Sequence, residues 1–271
     1  PNELPKDILQ KKKLKIGFDP KLFTKIFFNT FFKKTNCEFI PIDKNLIDKV
    51  WVRKKNNQKN KFYTLPKNAI GESYKSKVNK IALELKKSRA DYLFITASEN
   101  NAWLLNIRGN DSKYTPIPHS YILMDAKKNI NFFCDLKKIS LRLKRKLNKV
   151  KFLDINNTDR KLLEISKKKF IIDKHTCSFY FENLIFKNNT ILAREDPAYL
   201  FKAVKTRKEI DNIKKAHVYD GAALTKCLFW LKKNFIKKKI TEISAEQKLL
   251  NFRKRNKSFN FSSFPTISGT G

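Results

Sequence analysis

Apolar positions recur along this chain with two periods, and the switches between them mark its elements. Leu14–Phe18 is a short apolar run that ends at Asp19-Pro20, and Cys37–Ile42 is a second; both predict strands. Between them, Leu22 to Phe32 carries phenylalanines at helical spacing, with Lys21, Lys25, Lys33 and Lys34 left for solvent. Strand, helix, strand in so few residues predicts a βαβ unit with parallel pairing. Asn45-Leu46-Ile47-Asp48-Lys49-Val50-Trp51 follows, with Leu46 and Val50 expected to pack and Trp51 to close that unit's core.

Lys54 to Lys61 is polar and without periodicity, which predicts a linker. From Ser73 onward, Val78, Ile81, Ala82 and Leu85 make one helix face, and Asp91–Thr96 is a compact strand. Ser98 is placed to cap a short helix carrying Trp103, Leu104 and Leu105, with Gly109 suited to a left-handed position after it. Ser120–Met124 and Ile130–Cys134, separated by Asp125–Asn129, predict a hairpin. Leu136, Ile139, Leu143, Leu147 and Val150 read as a single helix stripe backed by a strongly basic face. Phe152–Ile155, a helix from Asp159, Phe170–Asp173 and a helix from Cys177 continue the alternation, so this region is α/β.

The last stretch changes character. Thr206 with Glu209 is a capping box. Ile210, Ile213, His217, Leu224, Leu228, Leu231 and Phe235 then predict one apolar face on a helix of roughly 25–30 residues. Thr241 or Ser244 caps a second helix, with Ala245, Leu249 and Phe252 inward. Phe261, Phe264 and Ile267 predict a strand that Pro265 places at an edge or at its own start. Helix, helix, strand opens an α+β layer but is too little to enclose a core.

Several blocks in this order resemble one family. Lys202-Ala203-Val204-Lys205, Glu209-Ile210, Ala216-His217, Asp220-Gly221-Ala222-Ala223-Leu224, Thr241–Glu246, Phe252-Arg253 and Phe264–Ser268 look like the start of the catalytic domain of aminopeptidase P. The likeness is to its long, three-domain form in the creatinase/prolidase ("pita-bread") superfamily. Asn101–Asp111 looks like the signature of that form's second domain, and Ile16–Pro20 with Asn45–Trp51 resembles the end of its first. The resemblance therefore implies a mixed α/β fold: creatinase N-terminal-like domains followed by the opening of a pita-bread α+β catalytic domain. It divides the chain into 1–58, the C-terminal part of a first domain, 73–195, a second domain, and 196–271, the start of the catalytic domain. With Pro1 in place of an initiator Met and a chain that stops in a glycine turn, the expectation is a piece of a longer protein.

What the resemblance implies for chemistry is a metal-dependent hydrolysis of the N-terminal Xaa-Pro peptide bond by a cytoplasmic homodimer. Two divalent ions, usually manganese, are held by two Asp, one His and two Glu, and a bridging hydroxide attacks the carbonyl before proline. Those ligands and a substrate-pocket His are expected beyond residue 271. No catalytic, substrate-binding or metal residue is therefore assigned here, and the piece alone is expected to be inactive. A non-catalytic relative acting as a basic binding or chaperone module is the alternative.

Composition limits the other readings. Hydrophobic residues make up 41% of the chain, with 23 Phe, enough for packed cores. The net charge of +35, from 60 basic and 25 acidic residues, points toward polyanions. Lys far outnumbers Arg and is spread over every segment, which fits a generally basic surface rather than a specific nucleic-acid site. The basic stretch Leu136–Val150 lacks interleaved aromatics, and its apolar stripe is that of a packed helix, so neither nucleic acid nor membrane is expected as its partner. Cys37, Cys134, Cys177 and Cys227 form no C-x-x-C pair and fit buried thiols in a reducing compartment. No apolar run approaches the roughly 18 residues of a membrane span. His119, His175 and His217 are isolated, and Glu242 and Glu246 share a helix face with no His beside them. Arg108 is expected to pair with Asp111 and Trp103 to sit in the core; the family signature offers another place for Arg108 or Tyr114, at a domain or subunit boundary near a substrate cleft.

Overall fold

The computed structural model describes residues 14–32, 37–51, 60–66, 68–237 and 239–269. The linker expected at Lys54–Lys61 lies largely outside the described residues, as do Lys33, Lys34 and the terminal Thr270-Gly271.

A six-stranded mixed sheet organises the centre. Its strands are β4 (Tyr92–Ile95), β6 (Tyr121–Asp125), β7 (Ile130–Cys134), β8 (Val150–Asp154), β9 (Lys169–Ile172) and β10 (Thr190–Ala193), in the order β10-β9-β4-β6-β7-β8. β6 pairs antiparallel with β4 and β7, while β9 is parallel to both β4 and β10, and β8 is parallel to β7. Successive residues feed opposite faces, as a pleat requires. Leu93, Ile95, Ile122, Met124, Phe132 and Ile171 enter one core, and Phe94, Leu123, Phe133, Phe170 and Ile172 the other.

The first core is closed by α3 (Tyr74–Lys87), α4 (Ser98–Leu105), α5 (Leu141–Lys146) and α8 (Pro197–Ala203), the second by α6 (Thr158–Leu163) and α7 (Phe179–Phe186). Helices on both faces of a mixed sheet make the α/β layer expected from the alternation. α3 is fixed by its Ser73 N-cap, whose side chain accepts from Ser76 N, and by burial of Val78, Ile81, Ala82 and Leu85. All four cysteines are free thiols, three of them buried.

The smaller N-terminal unit is β1 (Leu14–Phe18), α1 (Lys25–Phe32), β2 (Cys37–Pro41) and α2 (Leu46–Val50), with β1 and β2 parallel as predicted. α1 starts at Lys25, after Leu22, because Thr24 Oγ1 accepts from Phe27 N at 3.2 Å and sets the first turn there. Phe18, Phe28, Phe39 and Phe179 form an aromatic cluster, edge-to-face at Phe18–Phe179 and Phe28–Phe39 and tilted at Phe18–Phe28, that joins this unit to α7. Backbone bonds join them too: Phe179 N donates to Phe23 O at 2.7 Å and Tyr180 N to Pro20 O at 2.9 Å. Leu46, Val50 and Trp51, expected in a core, are 63%, 80% and 60% exposed. The two-stranded ribbon is too narrow to cover α2, which is held instead by its Asn45 cap and the Asn45 Nδ2 bond to Asp19.

Three further expectations are corrected. The stripe from Leu136 to Val150 is not one helix: Asp135 and Ser140 each cap a new start, Ile139 between them is extended, and Val150 opens β8. Ile139, Leu143, Leu147 and Val150 nevertheless all reach the first core. Ser98 does not cap α4; the cap position is Ala97, and Ser98 Oγ lies 3.4 Å from Ser120 O. Phe261, Phe264 and Ile267 form no strand, since no strand lies beside them among the described residues and Pro265 has no amide to give. β10 and α8 carried no prediction.

The C-terminal stretch is two helices, α9 (Arg207–Asn234) and α10 (Glu242–Lys254). α9 has the expected capping box of Thr206 and Glu209 and runs for 28 residues. α10 begins at Thr241, which shares reciprocal bonds with Ser244. Only Ala223 and Cys227 of α9 are buried, and Ile213, Leu224, Leu228 and Phe235 of its predicted inward face are exposed.

Candidate functional site

The segment Asn101–Asp111 and its neighbours bring several buried polar side chains together. β4 ends at Ile95 and α4 begins at once, so Asn100 and Asn101 fall in its first turn, where they are fully buried. Asn101 Nδ2 donates to Ser120 O at 2.8 Å, holding α4 to the start of β6. Asn100 Nδ2 donates to Asp196 Oδ2 at 2.7 Å, and Lys202 Nζ donates to Asn100 Oδ1 at 2.6 Å. Asp196 caps α8 through Ala198 N at 2.9 Å, with Pro197 in the first turn, and its own amide donates to Asp173 Oδ2 at 3.1 Å. Burial raises the Asp196 carboxyl to about 6, against the opposing pull of its two hydrogen bonds.

The other end of α4 faces the opposite way. Asn106 stops the helix in the left-handed region, φ 54° and ψ 32°, the position expected for Gly109. Gly109 is required for a different reason: a Cβ there would lie 2.9 Å from Pro118 Cα and 3.0 Å from the Phe62 ring. Asn106 Nδ2 donates to Glu72 O at 2.9 Å, and its Oδ1 accepts from Lys77 Nζ at 2.7 Å. Lys77 Nζ also donates to Trp103 O at 2.9 Å and sits 4.5 Å from the Trp103 ring centre. Lys77 is only 4% exposed, and burial lowers its ammonium to about 8 despite the nearby Glu209 and Glu72 carboxylates.

Arg108 lies on β5 (Ile107–Arg108), which pairs antiparallel with β3 (Tyr63–Thr64). Its Nη1 donates to Ala102 O at 3.1 Å and Ile107 O at 2.9 Å, and burial lowers its pKa. The expected Arg108–Asp111 pair is absent from these contacts. Asp111 instead forms an ion pair with Lys138 and accepts from His119 N at 2.8 Å. Competing partners decide the matter: Lys138 and the His119 amide take Asp111, while the Ala102 and Ile107 carbonyls take Arg108 Nη1. Trp103, expected in the core, is half-buried and packs at its margin.

Trp103, Asn106, Arg108 and Lys77 form the floor of a cleft of about 900 Å³. Its walls are Leu65, Pro66 and the stretch 68–71, the first half of α9 and the turn after α10. Gly71 lets the first wall press on the α9 cap, since a Cβ there would be 1.9 Å from Thr206 Oγ1. Asn212 Nδ2 donates to Asn68 O at 3.2 Å across the same contact. Tyr114 lies outside this lining.

The histidines remain apart. His217 Nδ1 faces Ile213 O of its own helix at 2.9 Å, His119 packs near Tyr121, and His175 N bonds Asp173 in the turn before α7. Glu242 and Glu246 are both exposed. Among the described residues no three of His, Cys, Asp and Glu gather as a metal group, so these residues do not fit the two ions that the resemblance implies. Lys77 and the Asn100–Asp196–Lys202 network carried no prediction. A signal existed for Lys77: it stands four residues before Ile81 on the apolar stripe of α3.

The family profile of the creatinase/prolidase N-terminal domain matches residues 53–209. The chain belongs to this family. Its fold also matches X-prolyl aminopeptidase from Caenorhabditis elegans, described as a cytosolic enzyme with a di-nuclear active site. That match has a TM-score of 0.85 at 24% identity and covers 97% of this chain and 45% of the other. Among curated relatives, a probable Xaa-Pro aminopeptidase P of Leptosphaeria maculans is 30% identical over 252 residues, covering 88% of this chain and 42% of the relative. Xaa-Pro aminopeptidase 1 of Dictyostelium discoideum is 30% identical over 280 residues, covering 95% and 43%. The chain thus spans less than half the length of these relatives.

Proposed function

We propose that these residues are the N-terminal part of an Xaa-Pro aminopeptidase, a metal-dependent enzyme that releases the residue preceding proline from a peptide N-terminus. The similarity to curated Xaa-Pro aminopeptidases over about nine-tenths of this chain carries the reading. In this reading 1–58 ends a first domain, 73–195 is the second, and 196–271 opens the catalytic domain. α9 and α10 are then its first two helices, and the two ions, manganese by family habit, are held by residues beyond 271. A di-nuclear site in the Caenorhabditis elegans enzyme supports two ions, and its cytosolic description together with the free thiols here supports a cytoplasmic setting. A homodimer is proposed on the family resemblance.

The test pairs two proteins. The full-length gene product, supplied with Mn²⁺, is expected to release the first residue from Xaa-Pro peptides and to stop when a chelator is added. The 271-residue chain is expected to leave the same peptides intact and to take up no Mn²⁺ in a calorimetric titration. A folded, manganese-loaded full-length protein that spares Xaa-Pro bonds would hand the case to a non-catalytic binding role. Tight stoichiometric metal binding by the shorter chain would show that the ligands had been misplaced.

A further inference from the structure

The cleft floor holds two cations whose hydrogen-bond partners are neutral, with the Glu209 carboxylate acting on both without a direct bond. Lys77 donates to the Trp103 and Asn106 oxygens, and Arg108 Nη1 donates to the carbonyls of Ala102 and Ile107. The remaining edge of the Arg108 guanidinium, Nε and Nη2, has no partner among the described residues. Arg253 shows what that edge does when an acid is present: its Nε and Nη2 grip the two oxygens of Asp220 at 2.6 and 3.0 Å.

The acids lining the cleft are already engaged. Asp220 is matched by Arg253, and Glu209 Oε2 accepts from both Thr206 N and Thr206 Oγ1, at 2.8 and 2.9 Å. Lys205 and Lys215 add further positive charge to the lining. Cations therefore outnumber acids in the lining, and a partly desolvated excess of positive charge is stabilised when a further anion joins it in the same space. The uncharged lining is part asparagine and serine and part apolar or aromatic, the latter from Leu65, Ile70, Trp103, Ile213, Tyr219 and Phe259. A space of about 900 Å³ is far larger than an inorganic anion needs and suits a ligand of a few residues.

We propose that this cleft binds the C-terminal carboxylate of a short apolar peptide, gripped by the free Arg108 edge, with Lys77 supplying charge from beneath the Trp103 ring and the aromatic walls holding the side chains. The proposal does not depend on the peptidase reading, because none of these residues belongs to the proposed metal site. Its geometry makes the ligand bridge the sheet domain and α9, so occupancy stiffens that junction.

The experiment titrates the 271-residue chain by calorimetry and by tryptophan emission with N-acetyl-Ala-Leu as the free acid, with the same peptide as its C-terminal amide, and with inorganic phosphate. The acid is expected to bind, with the amide and phosphate weaker by about tenfold or more, the effect of losing a charge-assisted fork. Arg108→Gln is expected to lose affinity for the acid by about the same factor, with Arg108→Lys intermediate. Lys77→Met keeps the buried stem and removes the charge, so it reports on the site even if Arg108→Gln fails to fold by circular dichroism. Equal binding of acid and amide, no binding of the acid at millimolar concentration, or full affinity in Lys77→Met would each overturn the proposal. Phosphate binding as tight as the acid would leave a general oxyanion site and overturn the peptide assignment.

Discussion

Asp196→Asn tests the buried polar knot where α4, α8 and the turn before α7 meet. Asp196 is 2% exposed, accepts from Asn100 Nδ2 and Ala198 N, and faces Asp173 and Lys202. Burial raises its carboxyl from 3.8 to about 6, with Asp173 adding to the rise and the two hydrogen bonds and Lys202 opposing it. A carboxyl whose folded pKa lies above its unfolded value favours folding when it is protonated. Its contribution is complete below about pH 4 and lost as pH climbs through about 6. The gap between the two values corresponds to about 3 kcal/mol. Asparagine cannot titrate, so whatever constant cost its amide incurs against Asn100 is independent of pH. Urea unfolding of both proteins at several pH values gives the stability difference directly. The variant should gain on the wild type by about 3 kcal/mol between about pH 4 and about pH 7. A difference that stays flat, or that moves in the wild type's favour, would mean Asp196 is ionised at no cost and would refute the argument.

Three further outcomes are expected from urea unfolding. Gly109→Ala should cost about 1–3 kcal/mol, because the added methyl must displace Pro118 backbone or the Phe62 ring; a neutral result would show that the loop yields. Trp103→Ala should cost about 2 kcal/mol, less than the 3–5 of a fully buried aromatic, since the ring lies at the core margin over Lys77; a loss at the full buried value would return Trp103 to the core. Asp111→Ala should cost about 1–3 kcal/mol by stripping partners from Lys138 and the His119 amide, and Asp111→Asn should restore part of it; equal losses in both variants would mean neither contact matters.

The central strands were legible because their residues alternate between two buried faces, and both cores can be traced in the period-2 pattern of Leu93, Phe94 and Ile95. The α9 and α10 starts were legible because a capping box is a local chemical event. β10 was hidden: it is a four-residue edge strand, half exposed, paired with β9. The Leu136–Val150 stripe misled because apolar spacing reports which residues face the core, not whether the backbone between them stays helical. Asp135 and Ser140 held the missing information as two successive caps. Of the site, Asn101–Asp111 stood out in the sequence, but the ion-pair partner of Asp111 is 27 residues away and a partner of Asn100 is 102 away, and these follow only from the fold.

The docking of the N-terminal unit on α7 ties two equilibria together. The first turn of that helix needs acceptors for its leading amides, and Ser178 Oγ serves only Phe181 N, at 3.4 Å. Pro20 and Phe23 supply the carbonyls for Tyr180 and Phe179. Lifting the small unit away would strand both amides at the moment the Phe18–Phe179 contact opens. Undocking and fraying of the α7 start are therefore one cooperative event, and deuterium uptake at just these two amides would time it.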